Sequence, residues 1–346
     1  MTESQHESAA FPETSLGDDL PPVQPPSAGF IVQLFLFPAL IVMAVVAIWW
    51  MFGLIAVGEQ DWRKLLQDLP SQNVHIRNRA MYGLAQVLDQ DSRRGDQGHQ
   101  LRLNREIAQG MADQLMIELR KNSSSKEGLA IQEYLTRALG MMDLMDVIAP
   151  ALHLAMEPTR DLGIRKGAVV SLSFVAGRAL ERNQQLSSPE SVNALVQLSV
   201  DALPVLRQSA AFALGLFDSP AAKHQLEVLL NDADPMTRVN AAIGLSRQGS
   251  TVGYSVICNS LKLPDAAPIP DSSPERDARL SADADQFLVV KNLLKSVNEL
   301  APKFNAHQRQ ELIPIVTDLS ANHPEIRIRV DAAAALNSLK QAVQNN

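Results

Sequence analysis

A single pattern, repeated along most of the chain, limits what this sequence can fold into. It is fullest in Val205-Leu206-Arg207-Gln208-Ser209-Ala210-Ala211-Phe212-Ala213-Leu214-Gly215, and it returns around Arg77, Arg165, Arg238 and Arg329. A further copy, Ile131-Gln132-x-x-Leu135-Thr136-x-Ala138-Leu139, keeps the apolar places and has lost the arginine. Gln132 to Arg165 is 33 residues and Arg207 to Arg238 is 31, the period of a helical-repeat solenoid.

Turning about 100° per residue from the arginine, positions −1, +3, +4 and +7 fall on one arc of a helix, and that arc faces a core. Position +6 borders it and is always small: Gly83, Ala138, Ser171, Ala213, Gly244 or Ala335. A small residue there lets a neighbouring helix come close. Pro204 and Pro235, three residues before their arginines, suit the first turn of a helix. Each copy therefore reads as the second helix of a hairpin, and the fold class as all-α, an α-solenoid of about six to seven hairpins.

The arginines lie within the apolar arc, where a charge needs a partner. Asp161 and Asp234 stand four residues before Arg165 and Arg238, while Asp201 and Asp232 stand six before Arg207 and Arg238. The expectation is a structural ladder of Arg77, Arg165, Arg207, Arg238 and Arg329 with these aspartates, tying repeat to repeat.

These residues resemble the HEAT-repeat family, in particular its short, alanine-rich, phycobilisome-lyase-like subgroup, over roughly residues 60 to 341. The resemblance implies the solenoid and leaves function open, since such repeats serve as scaffolds, adaptors and, less often, enzymes. One related enzyme, deoxyhypusine hydroxylase, binds iron through histidine–glutamate doublets in its repeats. The only such doublet here is His6-Glu7, ahead of the repeats, so that activity does not carry over.

Upstream of the repeats, residues 1–29 mix five acids with Pro12, Pro21, Pro22, Pro25 and Pro26 and hold no lysine or arginine. This composition predicts a disordered tail. Phe30 to Val57 is then 28 residues without a charge, more than the roughly 20 that cross a bilayer. No basic stretch precedes it, as a signal peptide would require, so the reading is a single transmembrane helix over residues 30–57. Arg63, Lys64, Arg77 and Arg79 follow the span, which predicts an N-terminus outside and a cytoplasmic solenoid over residues 58–346.

Past the span the chain reads as helix pairs: Trp62–Leu69 with Val74–Leu88, Leu101–Lys121 with Lys126–Met142, and Asp143–Met156 with Leu162–Glu181. Pro189–Val200 with Pro204–Phe217, Pro220–Leu230 with Pro235–Gln248, and Ala306–Ser320 with Pro324–Val343 continue the series, with Ala282–Leu300 alone between the last two. Ser188 and Ser219, each before a proline, are N-cap signals. Asp89 to Gly98 reads as a loop, and Pro264, Pro268, Pro270 and Pro274 mark an insertion over about residues 262–281.

Net charge is −7, mostly carried by the tail, which leaves no basic field for nucleic acid. Cys258 is the only cysteine, excluding an intrachain disulfide or a cysteine-based zinc site. No two histidines share a four-residue spacing, and no phosphate loop or nucleophile elbow occurs, so no cofactor is expected. The expected function is a membrane-tethered scaffold or adaptor for an unknown protein partner, with homo-oligomerisation open. The alternative is an enzyme of the repeat-lyase or hydroxylase kind, its site assembled between repeats.

One surface is singled out. Tyr82, Val170, Phe174, Phe212, Leu216, Val239 and Ile243 occupy positions that point away from the hairpin core. Two readings are open: contact between adjacent repeats, or, chiefly for Tyr82, Phe174 and Phe212, an apolar patch that binds a partner.

Overall fold

The computed structural model describes residues 28–56, 61–184, 186, 188–262 and 273–344. Two compact units divide the chain at Glu59/Gln60. In the first, α1 (Ala28–Ala56) is one continuous helix with Pro38 inside it. Its segment Val32–Met51 has a mean hydropathy of 2.5, and its side chains are exposed within the unit. It is long and apolar enough to cross a bilayer, and its ends differ little from the expected 30–57. The expected tail, but for its last two residues, lies outside the described residues.

Helices are the regular elements of the second unit among its described residues. Seven hairpins follow one another: α2 (Trp62–Asp68) with α3 (Val74–Arg93), α4 (Arg105–Arg120) with α5 (Lys126–Leu139), α6 (Met145–Ala155) with α7 (Leu162–Glu181), and α8 (Pro189–Leu198) with α9 (Pro204–Leu214). Then come α10 (Pro220–Leu229) with α11 (Pro235–Arg247), α12 (Tyr254–Leu261) with α13 (Ser273–Leu300), and α14 (Ala306–Asn322) with α15 (Ile326–Gln344). The second helices, α3 to α15, pack side by side as one layer, with the first helices beneath them. This is an α-solenoid.

Local chemistry starts these helices where the sequence calls for it. Prolines open α8 to α11, where a missing N–H costs nothing. Asn73, Asn104, Ser125, Asp161, Ser219 and Asp234 accept bonds from first-turn amides, which would otherwise lack partners. Ser188 does not: its hydroxyl bonds to Ser191 Oγ at 2.8 Å instead.

The small residue at +6 does what its size suggests. A Cβ on Gly215, at +8 of its copy, would lie 2.5 Å from the Cα of Gly244, at +6 of the next. A Cβ on Gly140 would likewise meet Ser171, 2.8 Å from its Oγ. Second helices thus touch through their smallest side chains, +8 of one against +6 of the next, and adjacent backbones close on each other.

Three expectations need correcting. Asp89–Gly98 is not all loop, for α3 runs to Arg93. Asp91, 5% exposed, then accepts from the amides of His99 and Leu101, the latter at 2.7 Å, and folds the following residues back as two short 3-10 turns. The expected insertion at 262–281 ends sooner, because α13 begins at Ser273; residues 263–272 lie outside the described residues. Finally, Ala282–Leu300 is not a lone helix. Tyr254–Leu261 pairs with it, and Val289-Val290-x-x-Leu293-Leu294-x-Ser296-Val297 is a template copy with valine in place of arginine, buried at Val290, Leu293, Leu294 and Val297.

Buried residues gather in two clusters, one from Leu65 to Leu245 and one from Val239 to Leu339. Helix α11 serves both. Ala241 and Leu245 face the first cluster, while Val239, Ala242 and Ile243 face the second.

Candidate functional site: the outward face of the second helices

Each template arginine first closes its own hairpin. Nη1 of Arg207 bonds to the carbonyls of Asp201 and Ala202 at 3.0 and 3.2 Å, and Nη1 of Arg238 to those of Asp232 and Ala233 at 2.7 and 3.0 Å. Arg329 repeats the arrangement on His323 and Pro324, and Arg77 on Ser71. Arg165 reaches the carbonyl of Met156 with Nε. Where the arginine is replaced, Gln132 keeps the same role through Nε2, 3.2 Å from the carbonyl of Glu118. The shared task of the position is therefore to satisfy carbonyls left open where the first helix ends.

A carboxylate ladder is built on this clamp at two steps. Arg165 pairs with Asp201 of the next hairpin, and Arg207 pairs with Asp232 of the next through two bonds of 2.9 Å. Both guanidinium groups are largely buried, with side chains 7% and 15% exposed. Asp201 and Asp232 thus hold two arginines each, one by carboxylate and one by carbonyl. The Arg207 guanidinium holds the Asp232 carboxyl below its usual range; partial burial opposes the same shift at Asp201, and the Leu203 amide and Arg165 carry it downward.

The other expected pairings are corrected. Asp161 does not reach the Arg165 side chain; its carboxylate caps the Gly163 amide at 2.8 Å. Asp234 is not the ion partner of Arg238 either, since it accepts from Thr237 N and Oγ1 at 2.7 and 2.8 Å and from Gln208 at 3.0 Å. Capping competes for an aspartate beside a helix start, and the nearer amide wins. Sequence proximity pointed four residues back, whereas the ion pairs that form run to the next repeat. Asp143, unforeseen, binds Arg178 of α7 and Arg182 just past its end, the aspartate here preceding its arginines, with Arg178 Nε at 2.6 Å.

Positions +5 and +9 lie opposite the core arc and between the two neighbour contacts, so they form the outward stripe of this layer. Tyr82 is 67% exposed, Phe174 59% and Phe212 38%. These three rings are on the surface, not packed away between repeats. Tyr82 stacks edge-on against Tyr134 of the next second helix, with centroids 5.7 Å apart. Val170 and Leu216 are half-buried. Val239 and Ile243, expected on the same surface, are core residues of the second cluster, because α11 buries two sides.

One residue of this face went unnoticed in the sequence. The Arg247 guanidinium carbon lies 5.0 Å from the centroid of the Phe212 ring, a cation–π distance. Its Nη1 is buried without a hydrogen-bond partner, and burial pushes its pKa down while Glu299 opposes. Its signal was a charge at +9, where Phe174 and Leu216 stand in other copies.

Reactive groups meet at two places among the described residues: the Tyr254 hydroxyl donates to Glu311 at 2.5 Å with Cys258 beside it, and a histidine approaches a serine on α8. His153 Nε2 lies 2.9 Å from Ser191 Oγ, a spacing that nucleophile and base would share. Ser191 is fully buried and is also held by Ser188, so this contact joins α6 to α8 and presents no hydroxyl to a substrate. No three histidine, cysteine, aspartate or glutamate side chains group as metal ligands there.

Residues 192–268, spanning most of α8 through α12, match the family model of HEAT repeats. No curated protein matches the chain. Among solved structures, the YibA protein of E. coli is 14% identical, with a TM-score of 0.42, over 84% of this chain and 96% of that one. The complex of CpcE and CpcF of phycocyanin lyase from Nostoc is 14% identical, with a TM-score of 0.41, over 81% and 94%. A designed armadillo repeat protein is 17% identical, with a TM-score of 0.36, over 81% and 100%. Residues 192–268 carry HEAT repeats, within an α-solenoid that follows one N-terminal apolar helix in sequence.

Proposed function

We propose that this protein is a membrane-tethered scaffold, with α1 set in a bilayer and the outward stripe of the second helices offered to a protein partner in the cytoplasm. The observation that carries the reading is the exposure of Phe174 and Phe212 on the adjacent helices α7 and α9. Exposed rings on neighbouring helices are a surface that gains by being covered. The uncharged span and the basic residues Arg63, Lys64, Arg77 and Arg79 beyond it support the tether and its direction,.

The test uses the full chain in cells. Phe174→Ala and Phe212→Ala together should leave thermal unfolding of the purified protein near that of the parent, yet release proteins cross-linked to the parent at this face. A large loss of stability with no change in cross-linked partners would return both rings to a packing role. A reporter active only in the cytoplasm, fused after Asn346, should be active; silence there would reverse the orientation.

A further inference from the structure

The stripe is apolar at its middle, with exposed lysines on the same helices and the Glu299 carboxylate at the +9 place of α13. Phe174 and Phe212 occupy the centre, Arg247 lies against the Phe212 ring, and Lys166 on α7 and Lys291 on α13 stand exposed at position +1 of their copies or its equivalent. Two other cations of this layer are matched within their own helices: Arg137 pairs with Glu133 at 3.0 Å and Lys295 with Glu299 at 3.8 Å. Lys166, Lys291 and Arg247 make no ion pair among the described residues. Glu299 acts on Arg247 from α13 but is itself engaged by Lys295, so the face holds cations that no ion pair of the repeats takes up, although the chain as a whole is acidic.

Arg247 makes that charge selective. A partner laid over Phe212 removes water from a guanidinium that already has one covered, unbonded nitrogen. Removing the remaining hydration is costly unless an acceptor replaces it, and a carboxylate is the acceptor whose planar pair of oxygens matches the fork. A neutral apolar segment would leave the charge buried and unpaired, and a basic one would add repulsion.

Resting on the scaffold reading above, we propose that the partner segment at this stripe is apolar and acidic, with its anchor side chain against Phe174 and Phe212 and a carboxylate on Arg247. Lys166 and Lys291 draw the same segment in from a distance and set its register. The partner class is thus an acidic amphipathic peptide.

The test is a random peptide library displayed on phage and selected on the full chain in detergent micelles, followed by anisotropy titration of labelled winners. Peptides that depend on Phe212 should combine aromatic or aliphatic residues with aspartate or glutamate. Arg247→Gln should weaken them by about tenfold, as loss of a charge-assisted bond predicts, and Arg247→Lys should recover part of this. Arg247→Glu should prefer the same peptide with its carboxylates replaced by lysine. That swap also separates lost recognition from lost fold, since an unfolded variant binds neither. Winners that need Phe212 but carry no acidic bias, and that ignore Arg247→Gln, would overturn the acidic partner and leave the scaffold surface standing. Winners indifferent to Phe174 and Phe212, or self-association of the chain through these rings, would overturn both.

Discussion

The repeats on either side of α11 are cut from one template and held together by different means. Before α11, arginines cross from hairpin to hairpin: Arg165 to Asp201, Arg207 to Asp232, and Arg178 with Arg182 to Asp143. After it, Val290 stands where the arginine stood, and the links are neutral or mixed: Ser246 to Ser296 at 2.6 Å, Ser338 to Asn298 at 2.5 Å, and Tyr254 to Glu311 at 2.5 Å. The difference teaches that the charge is not what makes the hairpin. The apolar arc makes it, and the position at its edge takes either a long side chain that reaches the turn or an aliphatic one that fills the gap.

The largest expected effect comes from cutting the arc itself on each side. Leu214→Ala and Leu293→Ala remove fully buried side chains, and each should cost about 2–5 kcal/mol in chemical denaturation. Because repeats couple chiefly to their neighbours, Leu293→Ala should speed amide hydrogen exchange in α12 to α15 and leave α4 to α7 protected. Equal loosening of both regions would abolish the division at α11.

Next comes the close approach that joins α9 to α11. Gly215→Ala sets a methyl 2.5 Å from the Gly244 backbone, and with no flexible tip to yield it should cost about 1–3 kcal/mol. A neutral result would mean that the layer slides easily at this point.

The ladder itself follows. Arg207→Ala strips Asp232 of a two-bond partner at a largely buried site and should cost about 1–3 kcal/mol. Arg238→Ala removes only bonds to carbonyls among the described residues and should cost roughly 1 kcal/mol less. Matching denaturation midpoints for the two variants would make turn closure the whole of the arginine's contribution.

The smallest effect is a pH dependence, read on the first side at His153; burial lowers the pKa of His323 on the second side as well. Burial lowers the pKa of His153, with Glu190 opposing, so as pH falls the unfolded chain binds this proton before the folded one does. The contribution is full above the ordinary histidine value of about 6.5 and is lost as pH drops below it toward the folded value. His153→Gln should flatten this slope, measured as the denaturation midpoint between about pH 7.5 and 5.5. The ladder aspartates, held low, lose their contribution only further down, as pH falls through the carboxylate range.

Periodicity by itself determined most of this protein: the helical class, the hairpin register, the small contact at +6 and the uncharged helix before the repeats. These follow from side chains separated by a few residues along one helix, where direction is set by the turn angle alone. Even the outward place of Tyr82, Phe174 and Phe212 was legible in that way, although whether neighbouring helices covered them was not. The partner of each arginine was decided by the tertiary structure, because Arg165 and Asp201 stand 36 residues apart in sequence and meet only when hairpins stack. The nearby aspartates Asp161 and Asp234 were drawn instead to first-turn amides. The α12/α13 hairpin escaped because α12 has 8 residues, too few to show a period, and because its partner copy lacks the arginine. The burial of Val239 and Ile243 beside the exposure of Phe212 has the same origin. A helix packed on two sides hides positions that the same spacing leaves open elsewhere, and packing of that kind depends on neighbours rather than on the helix's own sequence.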